Sequence, residues 1–156
     1  MALKQASWAH GNVAQLEGDA LHVNYRGFWA TITPRSSSPG SGGGYVHIPI
    51  PIPPIINGTR LKADFGHIRF ITGTKAHIAE IHVFDGERRF ERKTGLDWKG
   101  ALQTKRFEIT GSPEVIWGVG ITLVISFTMP PVGRGAPAAD LSDCWIGIVS
   151  AGIEFV

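Results

Sequence analysis

From Tyr45 to Ile56 the chain reads Tyr-Val-His-Ile-Pro-Ile-Pro-Ile-Pro-Pro-Ile-Ile. Proline fixes φ at about −65° and carries no backbone N–H, so this run excludes a helix interior and a central strand. Ile48, Ile50 and Ile52 fall two apart and share one face. An extended, polyproline-like segment at a sheet edge fits both facts, and such an edge resists pairing with a further strand. The same period of two recurs elsewhere. In Val119–Thr128 the odd-numbered residues are all large and apolar, while the even positions are small or polar apart from Val124. That is the pattern of a half-buried strand, and Ile121, Leu123, Ile125 and Phe127 are expected to form one buried face.

Shorter runs repeat the device. Gly27–Thr33 is aromatic and β-branched and stops at Pro34. Leu61, Ala63 and Phe65 alternate with charges, and Ile68 and Phe70 continue the alternation beyond Gly66. Ile78–Phe84 ends at Asp85-Gly86, a strong hairpin signal, with Glu87–Lys93 returning. A short strand lies around Phe107 and Ile109, and Trp145–Val156 closes the chain. Asn57-Gly58-Thr59 matches a glycosylation acceptor, but its dipeptide is first a turn signal. Arg35–Gly44 reads as a flexible loop and Met129–Ala139 as a Pro/Gly-rich one. One or two helical turns fit only near Leu96–Leu102. The sum is roughly nine or ten short strands with turns every 8–12 residues. This predicts an all-β fold, an antiparallel, jelly-roll-like β-sandwich, with residues 1–156 forming a single domain.

Composition narrows the function classes. Net charge is +2, and charged residues make up 18% of the 156, too little basic surface for a nucleic-acid binder. The basic residues cluster in 60–108, which holds 11 of the 15 Lys and Arg. The run Arg88-Arg89-Phe90-Glu91-Arg92-Lys93 is interleaved with acid and reads as a solvated hairpin. No apolar run reaches the length of a membrane helix, and no secretory signal opens the chain. A cytoplasmic protein with neither nucleic-acid nor membrane partner is expected. Cys144 is the only cysteine and reads as a buried small hydrophobe.

No catalytic constellation is legible. There is no Gly-x-Ser-x-Gly, no phosphate loop and no dinucleotide fingerprint. Among six histidines, His77 and His82 lie five apart and would face opposite sides of one strand. His67 and His82 could meet across adjacent strands together with Glu80. Such convergence is what a histidine and carboxylate site needs, but the spacing does not require it, so no metal and no cofactor are expected. Of five tryptophans, Trp29, Trp117 and Trp145 sit in apolar runs and read as core. Trp98, between Asp97 and Lys99, is the candidate for an exposed ring that stacks on a sugar or anchors an interface.

Several short motifs recur together: Trp8-Ala9-His10-Gly11, His47-Ile48-Pro49-Ile50-Pro51, His82-Val83-Phe84-Asp85-Gly86, Gly118-Val119-Gly120-Ile121 and Ser150-Ala151-Gly152-Ile153-Glu154-Phe155. The set resembles an uncharacterised family of small bacterial, single-domain, β-rich proteins, a domain of unknown function. The resemblance covers nearly the whole chain and brings no catalytic residues with it.

Three functions are compatible with these features. The first is a non-enzymatic β-sandwich that self-associates, a dimer being favoured, or binds a protein partner. Its support is that Val115–Met129 carries no charge and Trp145–Val156 carries only Glu154, so their outer faces need cover. The second is a lectin-like module that binds carbohydrate, with Trp98, His67, Glu80 and His82 as ligand-binding candidates. The third is a small enzyme using His67, Glu80 and His82.

Overall fold

Alternation becomes strand wherever both neighbours along the sheet can pair. The computed structural model describes residues 5–35, 42–129 and 140–156, together with the backbone alone of Gly40 and Ser41. The 130–139 part of the expected Pro/Gly-rich loop lies outside these residues, as do Ser36–Pro39. Thirteen strands are present among the described residues: β1 (Gln5–His10), β2 (Gln15–Leu16), β3 (Leu21–Tyr25), β4 (Ala30–Pro34), β5 (Gly40–Ile50), β6 (Ile55–Ile56), β7 (Thr59–Arg60), β8 (Ala63–Thr72), β9 (Ala76–Asp85), β10 (Arg88–Lys93), β11 (Gln103–Glu108), β12 (Val119–Met129) and β13 (Ile146–Phe155). Three of them are two-residue pieces, which leaves ten of five residues or more.

Two sheets pack face to face. One runs β11-β8-β13-β4-β3, with β1 also paired to β13; the other runs β10-β9-β12-β5-β2. All pairings are antiparallel. Eight strands follow a nested order: β4 pairs β13, β5 pairs β12, β8 pairs β11 and β9 pairs β10. Rolling that long antiparallel ribbon on itself yields a jelly roll, and the predicted β-sandwich is the observed one.

The core lies between the sheets. Ile121, Leu123, Ile125 and Phe127 of β12 are all buried, as are Ile146, Ile148, Ala151, Ile153 and Phe155 of β13. β13 keeps its apolar residues inward on both sides of Val149 because its register against β8 shifts between Ile148 and Ser150. A slip of one residue would otherwise turn every later side chain outward.

The isoleucine-proline run behaves as its chemistry demands. Glu17 N–H bonds to the Tyr45 carbonyl, so odd-numbered residues of β5 direct their backbone groups away from β12. Pro49, paired with Gly120, therefore lacks a donor only toward the side where β2 has already ended, since β2 covers just Val46 and His47. Asn57 and Gly58 both have positive φ (50° and 74°) and join β6 to β7, the geometry of a primed hairpin turn.

The structure corrects several expectations. Gly40–Gly44 is not loop but the start of β5, paired with Met129–Ile125. No helix forms at Leu96–Leu102. Trp98 instead exchanges two backbone hydrogen bonds with Ile78 (3.0 and 3.3 Å), and Gly95 and Gly100 take positive φ. The turn of the β9–β10 hairpin is Gly86-Glu87, with Asp85 and Arg88 as the closing pair. A bulge between Ile78 and Glu80, opposite Val124 and Ile125, flips the alternation of β9. His77 and His82 consequently share the outer face, opposite Ser126 and Thr122, rather than facing opposite ways.

Replacing Leu123 by Ala should cost about 2–5 kcal/mol, the range for a buried leucine in a packed core. Urea denaturation checks it: an unchanged midpoint would mean that β12 is not the packed centre of its sheet.

Candidate functional site

The outer face of the five-stranded sheet carries the most organised surface. Register places its residues in rows. Pro49, Gly120, Phe84 and Arg89 form one row, and His47, Thr122, His82 and Arg92 the next. Tyr45, Val124 and Glu80 form a third. Gln15 of β2 pairs beside His47.

A groove of about 420 Å³ opens over the first two rows, lined by Gln15, His47, Pro49, Phe84, Gly86, Glu87, Gly120 and Thr122. Its floor is Gly120, where an added Cβ would meet no atom within 4 Å. The depth exists because this position has no side chain, since a larger residue would stand in the open space. Further along β12 a second hollow of about 370 Å³ lies over Gly42–Gly44, Tyr45, Ala79, Val124 and Ser126. Both hollows follow β12, and Tyr45 stands 43% exposed on this face.

The polar groups around the groove are fixed by one another. His47 Nε2 donates to Glu17 Oε2 at 2.9 Å, and its Nδ1 shares a 2.9 Å hydrogen bond with the Thr122 hydroxyl. His82 Nε2 donates to Glu80 Oε2 at 2.9 Å, and Arg92 grips the same carboxylate through Nε (3.0 Å) and Nη2 (2.9 Å). The His82 hydrogen bond first, and then Arg92, hold the Glu80 carboxyl below its ordinary value. Such pre-set donors and acceptors need little reordering when a polar ligand arrives.

At the head of the groove Trp117 is 72% exposed, which reverses its expected place in the core. β12 begins only at Val119, so Trp117 belongs to the preceding loop, and that loop is anchored from below. The fully buried Asp85 accepts backbone N–H groups of Ile116 (2.9 Å), Trp117 (2.7 Å) and Gly118 (3.0 Å). Burial raises the Asp85 carboxyl, but the three N–H donors and Arg88 together bring it below its ordinary value of 3.8. With its backbone clamped, the indole rests against Gly86, itself part of the groove wall. The signal available in the sequence was Gly118, whose φ of 151° marks the break between loop and strand.

The sequence candidates do not converge. His67 sits on the outer face of the six-stranded sheet, between Arg106 and Gly152, and bonds Glu154 at 2.6 Å. Glu80 and His82 do meet each other, but on the opposite side of the sandwich. The chain crosses from one sheet to the other between β8 and β9, so His67 and His82 are never on adjacent strands and the histidine-carboxylate centre is not assembled. Trp98 is half-buried. Its ring lies parallel to Phe70 (6.4 Å, 9°) and near Phe107 (6.3 Å), covering the core. Cys144 is buried as expected, and burial pushes its thiol up.

Self-association was motivated by the uncharged outer faces of β12 and β13. Side chains of the adjoining strands stand beside those faces: His47 and His82 flank β12, and Trp8 and His67 flank β13.

In fold the chain is similar to β-sandwich carbohydrate-binding modules. One is the low-affinity xylan-binding module CBM86 of Roseburia intestinalis (TM-score 0.57, 7% identity, 97% of this chain and 96% of that one). Another is CBM29_1, a family 29 carbohydrate-binding module from Piromyces equi (TM-score 0.51, 9% identity, 96% and 90%). The chain itself belongs to the DUF6623 family, a family of unknown function, which it matches over residues 3–156. Among curated proteins none matches the sequence.

Asp85→Asn should destabilise the fold by about 1–3 kcal/mol near neutral pH, because an amide offers a single acceptor oxygen to three donors. A carboxyl whose folded pKa is depressed stabilises above its unfolded value and loses that contribution as pH falls through the folded one. The gap between wild type and D85N should thus be full near neutrality and close as pH drops below 3.8. Urea denaturation of both proteins across that range checks it, and a gap independent of pH would contradict the carboxylate anchor.

Proposed function

We propose that this domain is a carbohydrate-binding module whose ligand, an uncharged glycan chain, lies in the groove along β12. The observation that carries the reading is the groove itself: a glycine floor, immobilised donors and acceptors on its walls, and a clamped, exposed tryptophan at its head. A pyranose ring offers an apolar C–H face and a rim of hydroxyls. Aromatic rings such as Trp117 and Phe84 suit the face, while Gln15, His47, Thr122 and Glu87 suit the rim. Charge favours a neutral ligand, since Glu80 is already matched by Arg92 and the Glu17 carboxylate already accepts a hydrogen bond from His47. The fold shared with CBM86 and CBM29_1 supports the reading by analogy of architecture. The second hollow, over Gly42–Gly44, favours an oligosaccharide over a single sugar.

The test is binding to soluble xylan, hydroxyethylcellulose and mannan by affinity electrophoresis. Retardation by at least one of them is expected. Trp117→Ala should weaken binding by about tenfold through loss of stacking. Gly120→Val should abolish groove binding while leaving the melting temperature unchanged or raised, because valine suits a strand and meets open space. No retardation by any of the three, or a G120V protein that binds like wild type, would remove the groove as the site.

A further inference from the structure

We propose that the opposite face of the sandwich is a second glycan-binding surface, on which an extended neutral polysaccharide lies along β13 across Trp8 and Trp29. The proposal rests on the reading of the domain as a glycan binder and adds a site to it. The structural reason lies in two glycines. A Cβ added at Gly152 would sit 2.6 Å from Trp8 Cδ2 and 2.7 Å from its Cε3, and one added at Gly147 would sit 3.4 Å from Trp29 Cδ2. Both indoles therefore rest on the bare backbone of β13, with one side against the sheet. Five residues separate the glycines, roughly 16 Å of strand, enough for several sugar rings in line.

Both platforms are held in place. Trp8 is centred in β1, all six residues of which pair with β13, yet it is 46% exposed. The Ser7 hydroxyl donates to the Pro51 carbonyl, which ties β1 to the chain following β5. Trp29 Nε1 donates to Thr31 Oγ1 at 2.9 Å, and Phe28 meets the ring edge-on at 4.4 Å. Around Trp29 a hollow of about 280 Å³ is lined by Arg26, Phe28, Thr31 and Trp145. It provides a seat for one end of such a chain.

The polar neighbours select the chemistry of the occupant. The His67 ring lies 5.1 Å from that of Trp8 and donates to Glu154, which also receives two bonds from Arg106 (2.7 and 3.3 Å). Arg106 in turn stacks 3.3 Å over Phe65. The charges nearest Trp8 are thus paired among themselves, leaving a rim that offers hydrogen bonds without net charge. Aromatic platforms beside a neutral polar rim fit an uncharged, polyhydroxylated chain better than an acidic peptide or a lipid surface. With ligands on opposite faces, one molecule would bridge two polysaccharide chains.

The experiment compares wild type with W8A, W8F, G120V and W8A/G120V by affinity electrophoresis in soluble xylan, hydroxyethylcellulose or mannan. Turbidity on mixing reports bridging, and the melting temperature of each variant reports folding. The expected result is that W8A and G120V each retain partial retardation, that the double variant has none, and that only wild type and, more weakly, W8F make the polysaccharide turbid. The apparent affinity of W8A should fall by about tenfold as avidity is lost. If W8A fails to fold, W8F carries the comparison, because it keeps a ring over Gly152. Binding and turbidity by W8A and W8F equal to wild type, with G120V inert, would overturn the second surface and leave the groove standing. Binding lost in W8A but intact in G120V would keep this surface and remove the groove, while no retardation of wild type would overturn both.

Discussion

The contact between β12 and β13 is what the rest of the structure depends on. Each strand lies third in its sheet, and β12 turns six and β13 five buried apolar residues toward the other sheet. Full burial of a Val, Leu, Ile, Phe or Met side chain contributes about 1.5–3 kcal/mol, so these eleven residues hold the two layers together. Neither strand has charge to spare for its outer side, since β12 has no ionisable residue and β13 has only Glu154. The outer faces must then be furnished by the flanking strands. That division of labour produces both surfaces described above.

The two faces solve the same problem with similar parts. On one, Glu80 is held by His82 and Arg92; on the other, Glu154 is held by His67 and Arg106. In both cases hydrogen bonds from these partners keep the carboxylate ionised, although burial of Glu154 works against this. Each network spans neighbouring strands and stiffens the sheet crosswise; beside the first Gly120 leaves open space, and beside the second Gly147 and Gly152 seat the rings of Trp29 and Trp8. A missing side chain thus makes a shallow recess on one face and a seat for an aromatic ring on the other, without disturbing the core.

Much of this was legible in the sequence. Alternation announced β12 and its buried face, the isoleucine-proline run announced an open edge, and Asn57-Gly58 and Asp85-Gly86 announced turns. What alternation cannot express is a change of phase. The bulge at Ala79 moved His77 to the same face as His82, and no local residue signal marked it. Nor does spacing reveal which strands become neighbours, so His67 and His82 were paired across what proved to be two sheets. Trp117 was misplaced because a run of apolar residues continues across the boundary between loop and strand. Its outward position depends on Asp85, more than thirty residues earlier, a partnership that only the folded chain displays. Trp98, flanked by charges, was drawn inward by its backbone pairing with Ile78.

The nested order of strands has a bearing on how the molecule is made. Of the described strands β13 comes last in the sequence, yet it is the one against which β1, β4 and β8 pair. Until it emerges, the six-stranded sheet has no centre and the apolar sides of its other members have nothing to close against. The β9–β10, β3–β4 and β6–β7 hairpins join sequence neighbours by short turns, so they are the parts best placed to form early. Every other long pairing spans a large loop, which slows folding and leaves unpaired strands exposed in the meantime. The six-stranded sheet therefore depends on β13 for completion, and until then its earlier strands form a waiting chain rather than a gradually maturing one.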